Sequence, residues 1–136
     1  MKKLLLIVVL TAFITACSYR LSFNDQVEAL ESAGWEIDVV PAGSGGAFDL
    51  VDEFDGVENI AVGGKGDLSA GDYSFVYVIE FSSRKDASNA YDALFEDLDE
   101  SEGIYFQLYL TRAFVQFILS TNPNGVDDFE ETLSLN

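Results

Sequence analysis

The chain contains no histidine, so Ser-His-Asp and Cys-His nucleophilic catalysis and the usual zinc sites are excluded at once. Gly63-Gly64-Lys65-Gly66 offers the glycines and lysine of a phosphate-cradling loop. Such a loop also needs glycine five residues before the Gly-Lys pair and a hydroxyl residue after it, and Asn59 and Gly66 occupy those positions. Gly43-Ser44-Gly45 lacks the third glycine of a dinucleotide fingerprint, because position 48 is Phe. Both glycine stretches are expected to be plain loops. Asp97-Leu98-Asp99-Glu100-Ser101-Glu102 begins like a calcium loop, but its sixth and twelfth positions are Glu102 and Leu108 where glycine and a bidentate Glu are required. Asp52, Asp55 and Glu58 are similarly irregular, and the simplest use of both clusters is a solvated acidic surface. Two carboxylates across a cleft could hydrolyse a glycoside, yet only Glu80 sits in an apolar context. Ser82-Ser83-Arg84-Lys85 sets serine beside lysine, but Lys85 falls in a helix's first turn, where it is solvated. No catalytic residue, cofactor site or metal site is expected.

What must position these residues is a chain of 136 residues, 49% apolar, with 11 Phe, 6 Tyr and 1 Trp, enough for a single packed core. Seven Lys and Arg against 24 Asp and Glu give a formal charge of −17, which argues against nucleic acid as a partner.

The first twenty residues carry an address. Met1-Lys2-Lys3 is a short basic start, and Leu4 to Ile14 is an apolar run too short for a membrane span, which needs roughly 20 residues. The run ends in Ile14-Thr15-Ala16-Cys17, which resembles the lipobox of bacterial lipoproteins. That resemblance implies a cleaved signal peptide over residues 1–16, a diacylglyceryl group on Cys17, and often a further acyl chain on the new amino group. It covers the first twenty residues and is silent on the domain beyond. Two acyl chains give effectively permanent attachment. The expected location is therefore extracytoplasmic, anchored to the cell membrane, or to the outer membrane in a diderm.

Removal of Lys2 and Lys3 leaves five cations against 24 acids, a formal −19. Cys17 is the lone cysteine, so no disulfide can form within the chain. Residues 17–21 make a short tether, in which four residues reach at most about 14 Å. With Arg20 as the only nearby cation, the domain is expected to stand close to an anionic leaflet without lying on it.

Residues 22–136 are expected to form one α+β domain. Ser22 and Asp25 make a capping-box variant ahead of Phe23, Val27 and Leu30 at helical spacing, with Gly34 as the stop. Trp35 to Val40 alternates as a strand up to Pro41. Phe48, Val51 and Phe54 suggest a short helix, and Val57 to Val62 a further strand. Tyr73 to Phe81 is dense in aromatic and β-branched residues and is the clearest strand. Ser83 caps a helix whose stripe is Ala87, Ala90, Tyr91, Leu94, Phe95 and Leu98. Two strands, Ile104–Leu110 and Ala113–Leu119, flank Thr111-Arg112, Asn122-Pro123-Asn124-Gly125 breaks the chain, and Val126, Phe129 and Leu133 mark a last helix. The fold expected is a two-layer sandwich, a mostly antiparallel sheet with helices on one face. Its order suits a permuted ferredoxin-like α-β-β-α-β-β unit with one extra C-terminal helix.

Strand parity then assigns faces. With the turn at Thr111-Arg112, Leu110 pairs with Ala113, Leu108 with Val115 and Gln107 with Gln116. Ile104, Phe106, Leu108 and Leu110 share a core face with Phe75, Tyr77, Ile79 and Phe81, and with Trp35, Ile37 and Val39. The other face collects Val76, Val78, Tyr105, Gln107, Tyr109, Phe114, Gln116 and Ile118, an apolar centre with amphipathic tyrosines and amides. Left open, it is an interaction site for a protein partner or for a second copy of the chain; folded over by residues 41–72, it is not. The function expected is a non-catalytic, lipid-anchored interaction module, the alternative being a lipoprotein that binds a small ligand or divalent cation through its acidic loops.

Overall fold

The computed structural model describes residues 20–41, 53–97 and 103–135. Residues 1–19 with the expected signal peptide and Cys17, residues 42–52 with the helix expected around Phe48 and Val51, residues 98–102 and residue 136 lie outside the described residues.

Helix α1 (Phe23–Ser32) starts as its capping box dictates: Ser22 Oγ accepts from the Asp25 amide and Asp25 Oδ2 from the Ser22 amide, both at 3.2 Å. Strand β1 (Glu36–Pro41) follows, then the long β2 (Val57–Asp67), a 3-10 turn at Leu68–Ala70, and β3 (Asp72–Phe81). Helix α2 (Arg84–Asp97) leads back to β4 (Tyr105–Thr111), β5 (Phe114–Ser120) and α3 (Pro123–Leu133). Asn122 caps α3, with Pro123 in its first turn, where a missing N–H costs nothing.

The sheet is antiparallel throughout, in the order β1-β2-β3-β5-β4. With β5 between them, β3 and β4 run parallel, so β3-α2-β4 is a β-α-β crossover that skips one strand. The class is α+β, an open antiparallel sheet with helices packed on it. The helices, however, lie on both faces rather than one. Helices α1 and α3 cover Ala61, Val76, Val78, Phe114 and Ile118, while α2 covers Ile60, Val62, Ile79, Phe81, Leu108 and Val115. The reason is in the strands: both parities of β3 and β5 are apolar, so each face needs a cover.

Two local expectations change. Gly63-Gly64-Lys65-Gly66 is not a loop but part of β2: all four pair with β3, and Gly63 and Gly64 also pair with β1. Gly63 is glycine because its neighbour strand comes close: a Cβ there would stand 2.0 Å from the Glu36 carbonyl oxygen. At Gly64 the Tyr73 phenol takes the space. The β4–β5 register is also displaced by two residues, because the turn is Arg112-Ala113, with Arg112 at φ +52°. Leu110 therefore pairs with Val115, Leu108 with Phe117, and Gln116 with Tyr109 rather than Gln107. A two-residue displacement preserves parity, so the facing within this hairpin is as expected.

Candidate interaction surface

The face expected to be open is the better buried of the two. Val76 and Val78 are each 1% exposed and Ile118 0%, and Phe114 is buried with them, all beneath α1 and α3. Among the described residues the cover is these two helices, and Phe54, from the segment expected to fold over, packs on the opposite face. Trp35 and Ile37 join this layer, on the side of the sheet opposite Phe81 and Ile79. Val39, expected inside, is exposed on the edge strand.

Gln116 looked like a surface residue because it is an amide; it is fully buried because α1 delivers a partner. Its Nε2 donates to Gln26 Oε1 at 3.0 Å and to Thr111 Oγ1 at 2.6 Å, and Gln26 Nε2 donates to the Leu21 carbonyl at 3.3 Å. These bonds satisfy the Gln116 Nε2, while its buried Oε1 has no hydrogen-bond partner among the described residues. The signal for this pair was present at Gln26, one position before Val27 on the apolar side of α1.

The remaining three residues of the expected site lie along β4, at the sheet's edge. Tyr105 and Gln107 are exposed. Tyr109 is half-buried and donates its phenol to Glu130 on α3. Burial foremost, then the Glu130 hydrogen bond and charge and the charge of Asp127, raise its phenol far above the ordinary value. Five of the eight residues are thus core, and three form an edge.

Exposed apolar side chains gather elsewhere. Leu68 stands at the β2–β3 turn, Phe75 near the start of β3, Ile104 and Tyr105 at the start of β4, and Phe95 in the last turns of α2. Because β3 and β4 run parallel and α2 returns from the end of one to the start of the other, all five share one end of the molecule. Phe95 is 64% exposed and Phe75 38%. From that end a ladder of rings runs inward along the α2 face: Tyr73–Phe75 and Phe75–Tyr77 at 5.9 Å, and Tyr77–Phe117 at 5.6 Å. Helix α2 closes over the deeper rungs and leaves the outer ones in water.

The opposite end holds the entry of the chain. The hydrogen bonds from Gln26 to the Leu21 carbonyl and from Gln116 to Gln26 and Thr111 put the start of α1 beside the β4–β5 turn. Arg20, Arg112 in that turn, and Arg84-Lys85 after the end of β3 are all at this end. The other described cation, Lys65, has a structural role. Its Nζ donates to the Ala33 carbonyl at 2.8 Å and to Asp128 Oδ2 at 3.0 Å, and lies 5.6 Å from the Trp35 ring centre. It ties α1, β2 and α3 together and is not a phosphate ligand.

A recess of about 140 Å³ is lined by Glu53, Phe54, Asp55, Asp86, Asn89 and Ala90. Asp86 there accepts from Ser82 Oγ at 3.1 Å and Ser83 Oγ at 3.0 Å, the capping arrangement of α2. Among the described residues no three Asp or Glu side chains are grouped to hold a metal ion, and no helix is long and apolar enough to cross a membrane. Asp52 and residues 98–102 of the acidic stretches lie outside the described residues.

No family model, curated protein or solved structure matches the chain. The functional reading therefore rests on the arrangement of the chain's own residues.

Proposed function

We propose that the chain is a lipid-anchored, extracytoplasmic interaction module that binds a protein partner and performs no catalysis. The observation that carries this reading is polarity: among the described residues, five of the six exposed large apolar side chains lie at the end of the sheet remote from the end where the chain enters from Cys17, Val39 on edge strand β1 being the sixth. Leu68, Phe75, Phe95, Ile104 and Tyr105, shared between the two faces of this end, are presented away from the anchor. A lipid on Cys17 would hold the entry end at the membrane, because only the four residues Ser18 to Leu21 separate it from the Ser22 cap of α1. The binding surface proposed is accordingly the distal end, and no longer the sheet face beneath α1 and α3.

Two measurements test it. Cys17→Ala should abolish fatty-acid labelling and leave an uncleaved precursor; normal labelling of that variant would remove the anchor from the proposal. A photo-crosslinker at position 75 or 104, in the native envelope, should trap a protein neighbour that the same probe at exposed Lys85 does not. Equal trapping from both positions would refute the distal surface.

A further inference from the structure

The two free edges of the sheet are built differently. Edge strand β1 reads Glu-Ile-Asp-Val-Val-Pro, with Glu36, Asp38 and Pro41 exposed. Charges and proline on an edge are what keep other strands from adding to it. Edge strand β4 reads Tyr-Phe-Gln-Leu-Tyr-Leu-Thr, with neither charge nor proline. Among the described residues no strand pairs with its outer side. One edge is guarded and the other is left able to accept a strand.

Residues beside the open edge say what kind of strand it would take. On one face of the sheet, Tyr105 and Gln107 are exposed at this edge and Tyr109 points to α3. Asp127, Glu130 and Glu131 share one flank of α3 at helical spacing, and Glu130 reaches Tyr109, so this flank looks over β4. Asp128, on the other flank, is bound to Lys65 and faces α1. On the opposite face, β4 presents Phe106 and Leu110, both half-buried, and exposed Ile104. A strand added here would place alternate side chains beneath carboxylates and beside apolar groups.

We propose that the outer edge of β4 captures an extended segment of a partner protein in which cationic residues alternate with apolar ones. This deepens the interaction-module reading by naming the partner's chemistry. A second copy of the chain fits less well. Two-fold pairing through β4 would set both acidic α3 flanks on the same face of one continuous sheet, between molecules of formal charge −17. Like charges opposed across a strand pair are unfavourable.

The test uses the whole chain in non-ionic detergent and synthetic heptapeptides of alternating lysine and valine. Controls have the same composition in two blocks, or glutamate in place of lysine. The alternating cationic peptide should bind at least about tenfold more tightly than the block peptide and slow hydrogen exchange across Phe106–Leu110. Joint Asp127→Lys and Glu131→Lys, both at exposed positions, should weaken it by about tenfold at low salt, the effect of reversing two exposed charge contacts, with unchanged melting. Equal binding of the block peptide, or binding without protection of β4, would reduce the effect to bulk charge attraction and overturn the proposal. So would a concentration-dependent dimer in sedimentation velocity that excludes the peptide, since the edge would then belong to a second copy. If crosslinking from Phe75 or Ile104 traps a protein while no peptide binds, the edge proposal fails and the module reading stands.

Discussion

Placing a carboxylate on each face of β3 distinguishes the two sides of the sheet. Val78 is 1% exposed under α1 and α3, and Phe75 is 38% exposed on the α2 side. Val78→Asp forfeits the burial of a valine, about 1.5–3 kcal/mol. It also puts a carboxyl where burial raises its pKa by up to about 3–5 units, worth roughly 4–7 kcal/mol when ionised. The sum, about 5–10 kcal/mol, approaches or exceeds the whole stability of an ordinary domain, about 5–15 kcal/mol. Phe75→Asp removes part of one ring contact on each side and should cost no more than about 2 kcal/mol. Urea titration followed by Trp35 fluorescence reads both, because the lone tryptophan is buried against Phe129 at 6.0 Å. The buried carboxyl has a further signature in pH. Its folded pKa lies above the unfolded value of about 3.9, so the ionisation penalty is full only above that raised value and fades as pH falls from there towards the unfolded value. Phe75→Asp, near water, should show no such recovery relative to the parent. If Val78→Asp stays within about 1 kcal/mol of the parent while Phe75→Asp unfolds, the facing of β3 is the reverse of that described.

Gly63→Ala should cost about 1–3 kcal/mol, since the added methyl meets the Glu36 carbonyl and β1 must move; an unchanged urea midpoint would mean β1 is not held there. Burial raises the phenol pKa of Tyr77 from its ordinary 10.0, and Tyr109 is raised by burial and by Glu130. Their neutral forms favour the fold, so that contribution is complete below pH 10 and is lost as pH climbs above it; phenolate absorbance and circular dichroism should change together, and Tyr109→Phe should soften the alkaline loss.

Much of the fold was legible because local signals agreed. Ser22 and Asp25, and Ser83 and Asp86, each start a helix where their side chains can cap one, whereas Asn122-Pro123-Asn124-Gly125, expected as a break, is the cap and first turn of α3. The density of aromatic and β-branched residues marked β3, β4 and β5. What failed was the allocation of faces, and the cause is physical. When both parities of a strand are apolar, alternation no longer tells core from surface. Val76 and Val78 looked like the weaker face beside Phe75, Tyr77, Ile79 and Phe81, although valines pack beneath a helix as well as rings do. Helix α1 was visible, but the sheet face it would cover was not. Gln116 misled for a related reason, since its burial depends on Gln26, ninety residues away in sequence. Glycines at 63, 64 and 66 suggested a loop because a single chain does not reveal that a neighbouring carbonyl and phenol fill the missing side-chain space.

The polarity of the sheet also sets a reach. From the start of α1 to the outer rings is about the length of β3, ten residues or roughly 33 Å. If Cys17 carries the proposed lipid, the tether adds at most about 14 Å. The distal end would then sweep a shell no deeper than about 50 Å above the bilayer, and within that shell its effective concentration is fixed by geometry and not by expression level. A partner segment held inside the shell meets the module continually, even at modest intrinsic affinity. One held beyond it never does, however complementary its side chains. Inserting a flexible linker after Cys17 would thus act as a ruler, gaining distant partners while diluting near ones.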